Sequence, residues 1–147
     1  MRRGGEANKG RRHARPERPH ADRVTCYGPT MRVAFIISRN RTDRDAIEAA
    51  VAELPPDTTI IIGGALSGPD TWIEEAARLR GLEVLIFRPN LIAVQDLDDA
   101  TERYYERNQQ IVDAADRLIA FVAPDRTGAS EDTIRRAAAR GIPISLR

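Results

Sequence analysis

Between residues 31 and 147, five short β-rich runs alternate with four stretches of helical periodicity, and that alternation leaves few folds open. The runs are Arg32–Ile37, Thr59–Ile62, Glu83–Phe87, Arg117–Val122 and Ile142–Ser145. Val33-Ala34-Phe35-Ile36-Ile37 is apolar without interruption, as expected of a strand buried on both faces. Asp43–Leu54 carries a stripe of Ile47, Ala50, Val51 and Leu54, and Asp70–Arg80 one of Trp72, Ile73, Ala76 and Leu79. Asp98–Ala115 presents Ala100, Tyr104, Ile111 and Ala115, and Ser130–Arg140 presents Ile134, Ala137 and Ala138. Gly81 and Gly141 follow two of these helices where a left-handed cap would end them. The expected fold is α/β, a Rossmann-like three-layer sandwich with a five-stranded parallel sheet and right-handed crossovers. Ligands of such sheets sit beyond the carboxyl ends of the strands, where the strand order reverses, so the loops leaving each strand matter most.

Chemistry is narrowed by what that segment lacks. From Met31 to Arg147 there is no histidine, cysteine or lysine. A Ser-His-Asp or Cys-His nucleophile pair, a His/Cys metal cage, a phosphate-loop lysine and a Schiff-base lysine are all excluded there. Arginine, carboxylates, hydroxyls, amides and backbone N–H groups remain. They suit an anionic small molecule, or a reaction that needs only a carboxylate. No cofactor and no metal are expected.

The overall formal charge of +1 hides an asymmetry. Residues 1–30 carry 8 Lys+Arg against 3 Asp+Glu, whereas residues 31–147 carry 15 against 19. The chain thus divides into a basic tail, 1–30, and a domain, 31–147. The tail has too little apolar surface to offset its ordering entropy and is expected to be disordered and dispensable. It reads either as a solvated extension ahead of Met31 or as an arm for nucleic acid. The lack of aromatic residues among its charges favours the extension, and the acidic domain argues against nucleic acid as a partner. No apolar signal core and no long apolar span occur, so a cytoplasmic protein without a membrane partner is expected. Self-association stays open.

Three loops carry candidate ligand contacts. Ser38-Arg39-Asn40-Arg41 follows the first run. The second is followed by Gly63-Gly64-Ala65-Leu66-Ser67-Gly68-Pro69-Asp70, in which glycines permit close backbone approach and Pro69 suits a first helical turn. Free N–H groups at that helix start would suit a phosphate; Asp70 either caps the helix or accepts a ribose hydroxyl. The fourth run leads into Pro124-Asp125-Arg126-Thr127-Gly128-Ala129-Ser130-Glu131-Asp132, with Ser130 as the expected N-cap. Glu131 and Asp132 there serve either the helix dipole or catalysis.

In the third helix Tyr104, Asn108 and Ile111 share a face, and an asparagine on a buried stripe needs partners. Arg107 has the fork geometry to clamp a phosphate, or else forms an exposed ion pair with Glu106 or Asp113. Tyr105 and Trp72 read as packing residues.

Two blocks of sequence resemble a known family. They are Gly63-Gly64-Ala65 with Gly68-Pro69-Asp70, and the stretch from Arg107-Asn108 through Ile119-Ala120-Phe121 to Gly128-Ala129-Ser130, Thr133-Ile134 and Gly141-Ile142-Pro143. The domain resembles the SLOG superfamily of Rossmann-like domains, which groups DprA-like and LOG-like proteins, and is most like its small YspA-core type. The resemblance implies a nucleotide or nucleotide-derived ligand in a cleft lined by the glycine loops. Its contacts would come from Ser38, Arg39, Gly63, Gly64, Ala65, Ser67, Gly68, Asp70, Arg107, Asn108, Thr127, Gly128, Ala129 and Ser130.

LOG-like members are phosphoribohydrolases that use an arginine and a glutamate around a Pro-Gly-Gly-x-Gly-Thr loop. Arg107 matches the arginine, but Pro124 is followed by Asp125-Arg126, and the Gly-Thr pair is replaced by Gly128-Ala129-Ser130. The glutamate position falls near Asp132 or Glu131. The last forty residues are also similar to nucleoside deoxyribosyltransferases. The expected function is nucleotide binding by a sensor or regulatory module. The alternative is a carboxylate-based nucleotide N-glycosidase, phosphoribohydrolase or deoxyribosyltransferase-like enzyme with Asp132 and Glu131 as its carboxylates.

Overall fold

The computed structural model describes residues 30–147; the rest of the basic tail lies outside the described residues. The element order is β1 (Arg32–Ile37), α1 (Arg44–Ala52), β2 (Thr59–Ile62), α2 (Pro69–Leu79), β3 (Glu83–Ile86), α3 (Leu97–Ala114), β4 (Arg117–Phe121), α4 (Ser130–Arg140) and β5 (Ile144–Leu146). All five strands are parallel, in the order β3-β2-β1-β4-β5. The chain winds outward from β1 to β3, then α3 carries it back across the sheet to β4. The order therefore reverses between β1 and β4, where Val33 to Ile37 pair with Arg117 to Phe121. This is the expected α/β Rossmann-like sandwich.

The period-two alternation of a strand sorts the core into two layers. Val33, Phe35, Ile60, Ile62, Ile119 and Phe121 face α1 and α2, meeting Ile47, Val51, Ile73 and Ala77. Ala34, Ile61, Leu118 and Ala120 face α3 and α4, meeting Ile111, Val112, Ile134 and Ala137. The first layer uses Val, Ile and Phe from the strands, and the second mixes Ile61 and Leu118 with Ala34 and Ala120.

Several local expectations change. Leu79, assigned to the apolar stripe of α2, is 90% exposed because the helix ends there. The turn is closed instead by Leu82, which is buried and whose N–H reaches the Ala77 carbonyl, with Gly81 at a φ of 68°. Tyr104 is exposed and lies against Arg107 rather than in the core. The last strand starts two residues late: Ile142 N–H still closes the end of α4 on Ala137, and Pro143 can offer only its carbonyl, to Leu118. Ser130 is not an N-cap; it is the first residue of α4, Ala129 holds the cap position, and no side chain caps that end. Pro69 and Gly141 stand where expected, opening α2 and closing α4 with a φ of 77°.

Among the described residues no helix is long and apolar enough to cross a membrane, and no group of three His, Cys, Asp or Glu side chains is placed to hold a metal.

Candidate functional site

Gly63 and Gly64 leave β2 at the carboxyl edge of the sheet, beside the end of β3, where Phe87 N–H reaches the Ile62 carbonyl at 3.0 Å. The two glycines have different reasons to be glycine. Gly64 has a φ of 71°, and a Cβ there would also collide with the Ile86 side chain. Gly63 has no such backbone demand. A Cβ on it would stand 2.6 Å from Nη1 of Arg107, so the missing side chain admits the arginine.

Arg107 comes from α3 and lies over this turn. Nη1 donates to the Gly63 carbonyl at 3.1 Å and the Phe87 carbonyl at 3.3 Å; Nε donates to Oδ1 of Asn108 at 3.1 Å. Its plane lies 5.4 Å from the Tyr104 ring centroid. Burial lowers its pKa, the nearby Asp70 charge works against that, and the guanidinium stays protonated. No carboxylate among the described residues comes within ion-pair distance of it. The expected exposed pair with Glu106 or Asp113 does not form: Glu106 binds Arg103 and Asp113 binds Arg140. These carbonyl contacts also mean that Arg107→Ala cannot be neutral to stability, as a residue merely lining a cleft would be.

Asn108 is 5% exposed and engaged at both ends of its amide. Its Oδ1 accepts from Arg107, and its Nδ2 donates to Oδ2 of Asp132 at 3.0 Å. Asp132 also binds Arg136 Nε at 2.7 Å and lies 3.7 Å from Arg135. A continuous line of polar contacts thus runs from Arg136 through Asp132, Asn108 and Arg107 to the Gly63 turn. It joins the two sequence blocks, which meet across α3.

On Asp132, burial pushes the pKa up, but the hydrogen bonds from Arg136 and Asn108 outweigh it, so the carboxyl stays below its usual range. Glu131 is held by a two-pronged bond to Arg126, at 2.9 and 3.0 Å, which lowers its pKa against a smaller burial effect. Both candidate catalytic carboxylates are therefore ionised and committed to arginines. Asp70 accepts from the Ala65 N–H at 2.9 Å, bracing the loop over Leu66, Ser67 and Gly68. Its carboxylate occupies a donor that an anion would otherwise use.

The remaining candidates lie on the β1 and β4 side. Ser38 is buried and its N–H binds the Phe121 carbonyl, whereas Arg39 is exposed. Thr127 closes a local turn on Asp125 with both its N–H and its hydroxyl. Gly128, with a φ of 105°, and Ala129 lead into Ser130. Arg41, from the same loop as Ser38 and Arg39, lies over the carboxyl ends of β4 and β5. It donates to the carbonyls of Val122 at 3.0 Å and Arg147 at 2.6 Å, pairs with Asp43, and lies 5.2 Å from the Phe121 ring centroid. Among the described residues Arg39 on this side and Arg107 and Arg88 on the β2–β3 side have no carboxylate at ion-pair distance, but only the latter two lie against a glycine turn. Sequence reasoning also missed Arg88, which follows β3 as Arg39 follows β1; applying the same strand-exit rule to β3 would have found it.

No family model matches the chain, and no curated protein matches it. Among solved structures, the X-ray structure of DNA processing protein A (DprA) from Streptococcus pneumoniae matches with a TM-score of 0.62 and 19% sequence identity. The match covers 80% of this chain and 50% of that one, so the chain spans about half the length of the protein it matches. The chain therefore shares the fold of that structure over the matched part.

Proposed function

We propose that the protein binds a nucleotide or nucleotide-derived ligand at the carboxyl edge of its sheet and acts as a sensor or regulatory module. One observation carries this reading: Arg107 is a desolvated cation beside the Gly63-Gly64 turn with no carboxylate partner among the described residues. A partly buried charge whose nearest carboxylate, Asp70, acts only from a distance is costly to hold, and a bound anion would offset that cost. The ligand contacts would come from Arg107, the glycine turn and the edge residues Ser38, Arg39 and Ser67, with Thr127, Gly128 and Ser130 on the far side. Nucleic acid fits less well, because residues 31–147 carry more acidic than basic groups.

Calorimetric titration of the full chain with nucleoside monophosphates, diphosphates and NAD-type dinucleotides tests this. At least one should bind, and Arg107→Ala should weaken it by a charged hydrogen bond, about 1.5–3 kcal/mol or roughly tenfold and more. Arg107→Lys should recover part of the affinity, since it keeps the charge but loses the fork. Affinity unchanged in both variants would remove Arg107 from the site.

The alternative, splitting of an N-glycosidic bond, draws on one contact: Asp132 lies a single side chain, Asn108, away from Arg107. Its engagement by Arg136, and that of Glu131 by Arg126, work against either carboxyl as proton donor or nucleophile. Release of free base from a bound nucleotide, lost in the Asp132→Asn, Glu131→Gln double variant, would favour the enzyme.

A further inference from the structure

Arg88 and Arg107 approach the same turn from different elements. Arg107 reaches Gly63 from α3, and Arg88, just beyond β3, folds back over Gly64. A Cβ on Gly64 would stand 3.4 Å from Nε and 3.5 Å from Cζ of Arg88. Consecutive Cα atoms are about 3.8 Å apart, so these contacts place the two guanidiniums no more than about 13 Å from each other, on one glycine turn. Among the described residues Arg88 makes no hydrogen bond and no ion pair, although Arg44, Arg103, Arg126 and Arg136 all find carboxylates. An exposed arginine without a partner gains most by extending into water, yet this one lies against the glycine turn.

Resting on the nucleotide-binding reading, we infer that Arg88 is a second anion clamp and that the site selects a phosphorylated ligand. A phosphate or diphosphate group, carrying two or more negative charges, would sit over Gly63-Gly64 between the two guanidiniums. The planar fork of Arg88 can bond two of its oxygens, while Arg107, whose Nε and Nη1 are engaged by the fold, offers its Nη2 donors. The two arginines differ in one respect that makes the assignment testable. Arg107 is tied into the fold by the Gly63 and Phe87 carbonyls, whereas Arg88 has no structural bond to lose.

The test is calorimetry on the full chain with adenosine, AMP, ADP, inorganic phosphate and pyrophosphate, using wild type, Arg88→Ala and Arg78→Ala. Arg78 lies in the last turn of α2, at the opposite edge of the sheet, and controls for the loss of one positive charge. The expected result is that AMP or ADP binds at least tenfold more tightly than adenosine, that Arg88→Ala removes most of that margin, and that Arg78→Ala keeps it. The melting temperature of Arg88→Ala should match wild type. Adenosine binding as tightly as AMP, or nucleotide affinity untouched by Arg88→Ala, overturns the clamp and leaves the nucleotide reading standing. Phosphate or pyrophosphate bound through Arg88 while no nucleotide binds keeps the clamp and overturns the nucleotide reading. No binding of any probe overturns both.

Discussion

The two sides of the sheet's carboxyl edge use the same residue types in opposite ways. On the β2–β3 side Arg107 and Arg88 stand over a glycine turn with no carboxylate at ion-pair distance among the described residues. On the β4–α4 side every carboxylate singled out from sequence is matched: Glu131 with Arg126, and Asp132 with Arg136 and Arg135. A matched pair has already spent its charge on the fold, while an unmatched cation in a partly desolvated place still has charge to offer a ligand. The contrast says that residue type does not mark a site here. The unfilled electrostatic demand does.

The largest disturbance should come from the turn itself. Gly64→Val would force a β-branched residue to a φ of 71° and drive its Cβ into Ile86. Strain of about 1–3 kcal/mol and overpacking of similar size should add, lowering the melting temperature by ten degrees or more. A variant that melts like wild type would show the turn to be pliable, and the close approach of both arginines would lose its meaning.

Asn108 joins the two sides by bonding both Arg107 and Asp132. Asn108→Ala deprives Arg107 Nε of its acceptor and Asp132 of a donor, at a buried position. A cost of about 2 kcal/mol in chemical unfolding is expected, with nucleotide affinity reduced as well. A loss of stability with affinity intact would separate the two regions; a loss of both would couple them.

Much of this arrangement was legible in the sequence, and the reason lies in its range. Val33–Ile37 is a five-residue apolar run and Gly141 ends a helix; both are local signals that fix a strand or a cap without tertiary information. Asn108 was also marked by its sequence, as a polar residue on a buried stripe. Its partner Asp132 lies 24 residues away, and no local rule supplies that pairing. Arg107 is similar, since its carbonyl acceptors come from positions 44 and 20 residues upstream. Ser130 shows the converse: the local preference for an N-cap was correct in kind, but the turn from Gly128 winds into the helix one residue early.

Asp132→Asn should have a smaller effect that depends on pH. The folded carboxyl is held below its ordinary value of 3.8, so the unfolded chain takes up a proton first as pH falls. The stabilisation is present in full above that unfolded value and is lost as pH drops through the lower folded one. The wild type should therefore be more stable than Asp132→Asn by about 1 kcal/mol at pH 6, with the gap closing below pH ~4. A gap that widens in acid would mean the folded carboxyl is raised instead. That would return Asp132 to the list of proton donors and undo the contrast between the two sides.

The smallest effect belongs to Glu131→Gln. Its bond to Arg126 is two-pronged, but the arginine side chain is 44% exposed, and pairs of this kind are screened by water and salt. Arg126 sits at a φ of 56°, so the pair helps hold a loop residue in a conformation it would not otherwise choose. Glutamine of the same shape keeps one of the two hydrogen bonds. It also removes an acidic group from the first turn of α4, where a negative charge favours the helix dipole. Both losses are minor and salt-dependent, so the melting temperature should fall only slightly at low ionic strength and converge on wild type as salt rises. Nucleotide affinity should not change, because the carboxylate is turned to Arg126 rather than to the glycine turn. A large drop in affinity, or the loss of a measurable base-releasing activity, would show that Glu131 trades Arg126 for a ligand once one is bound.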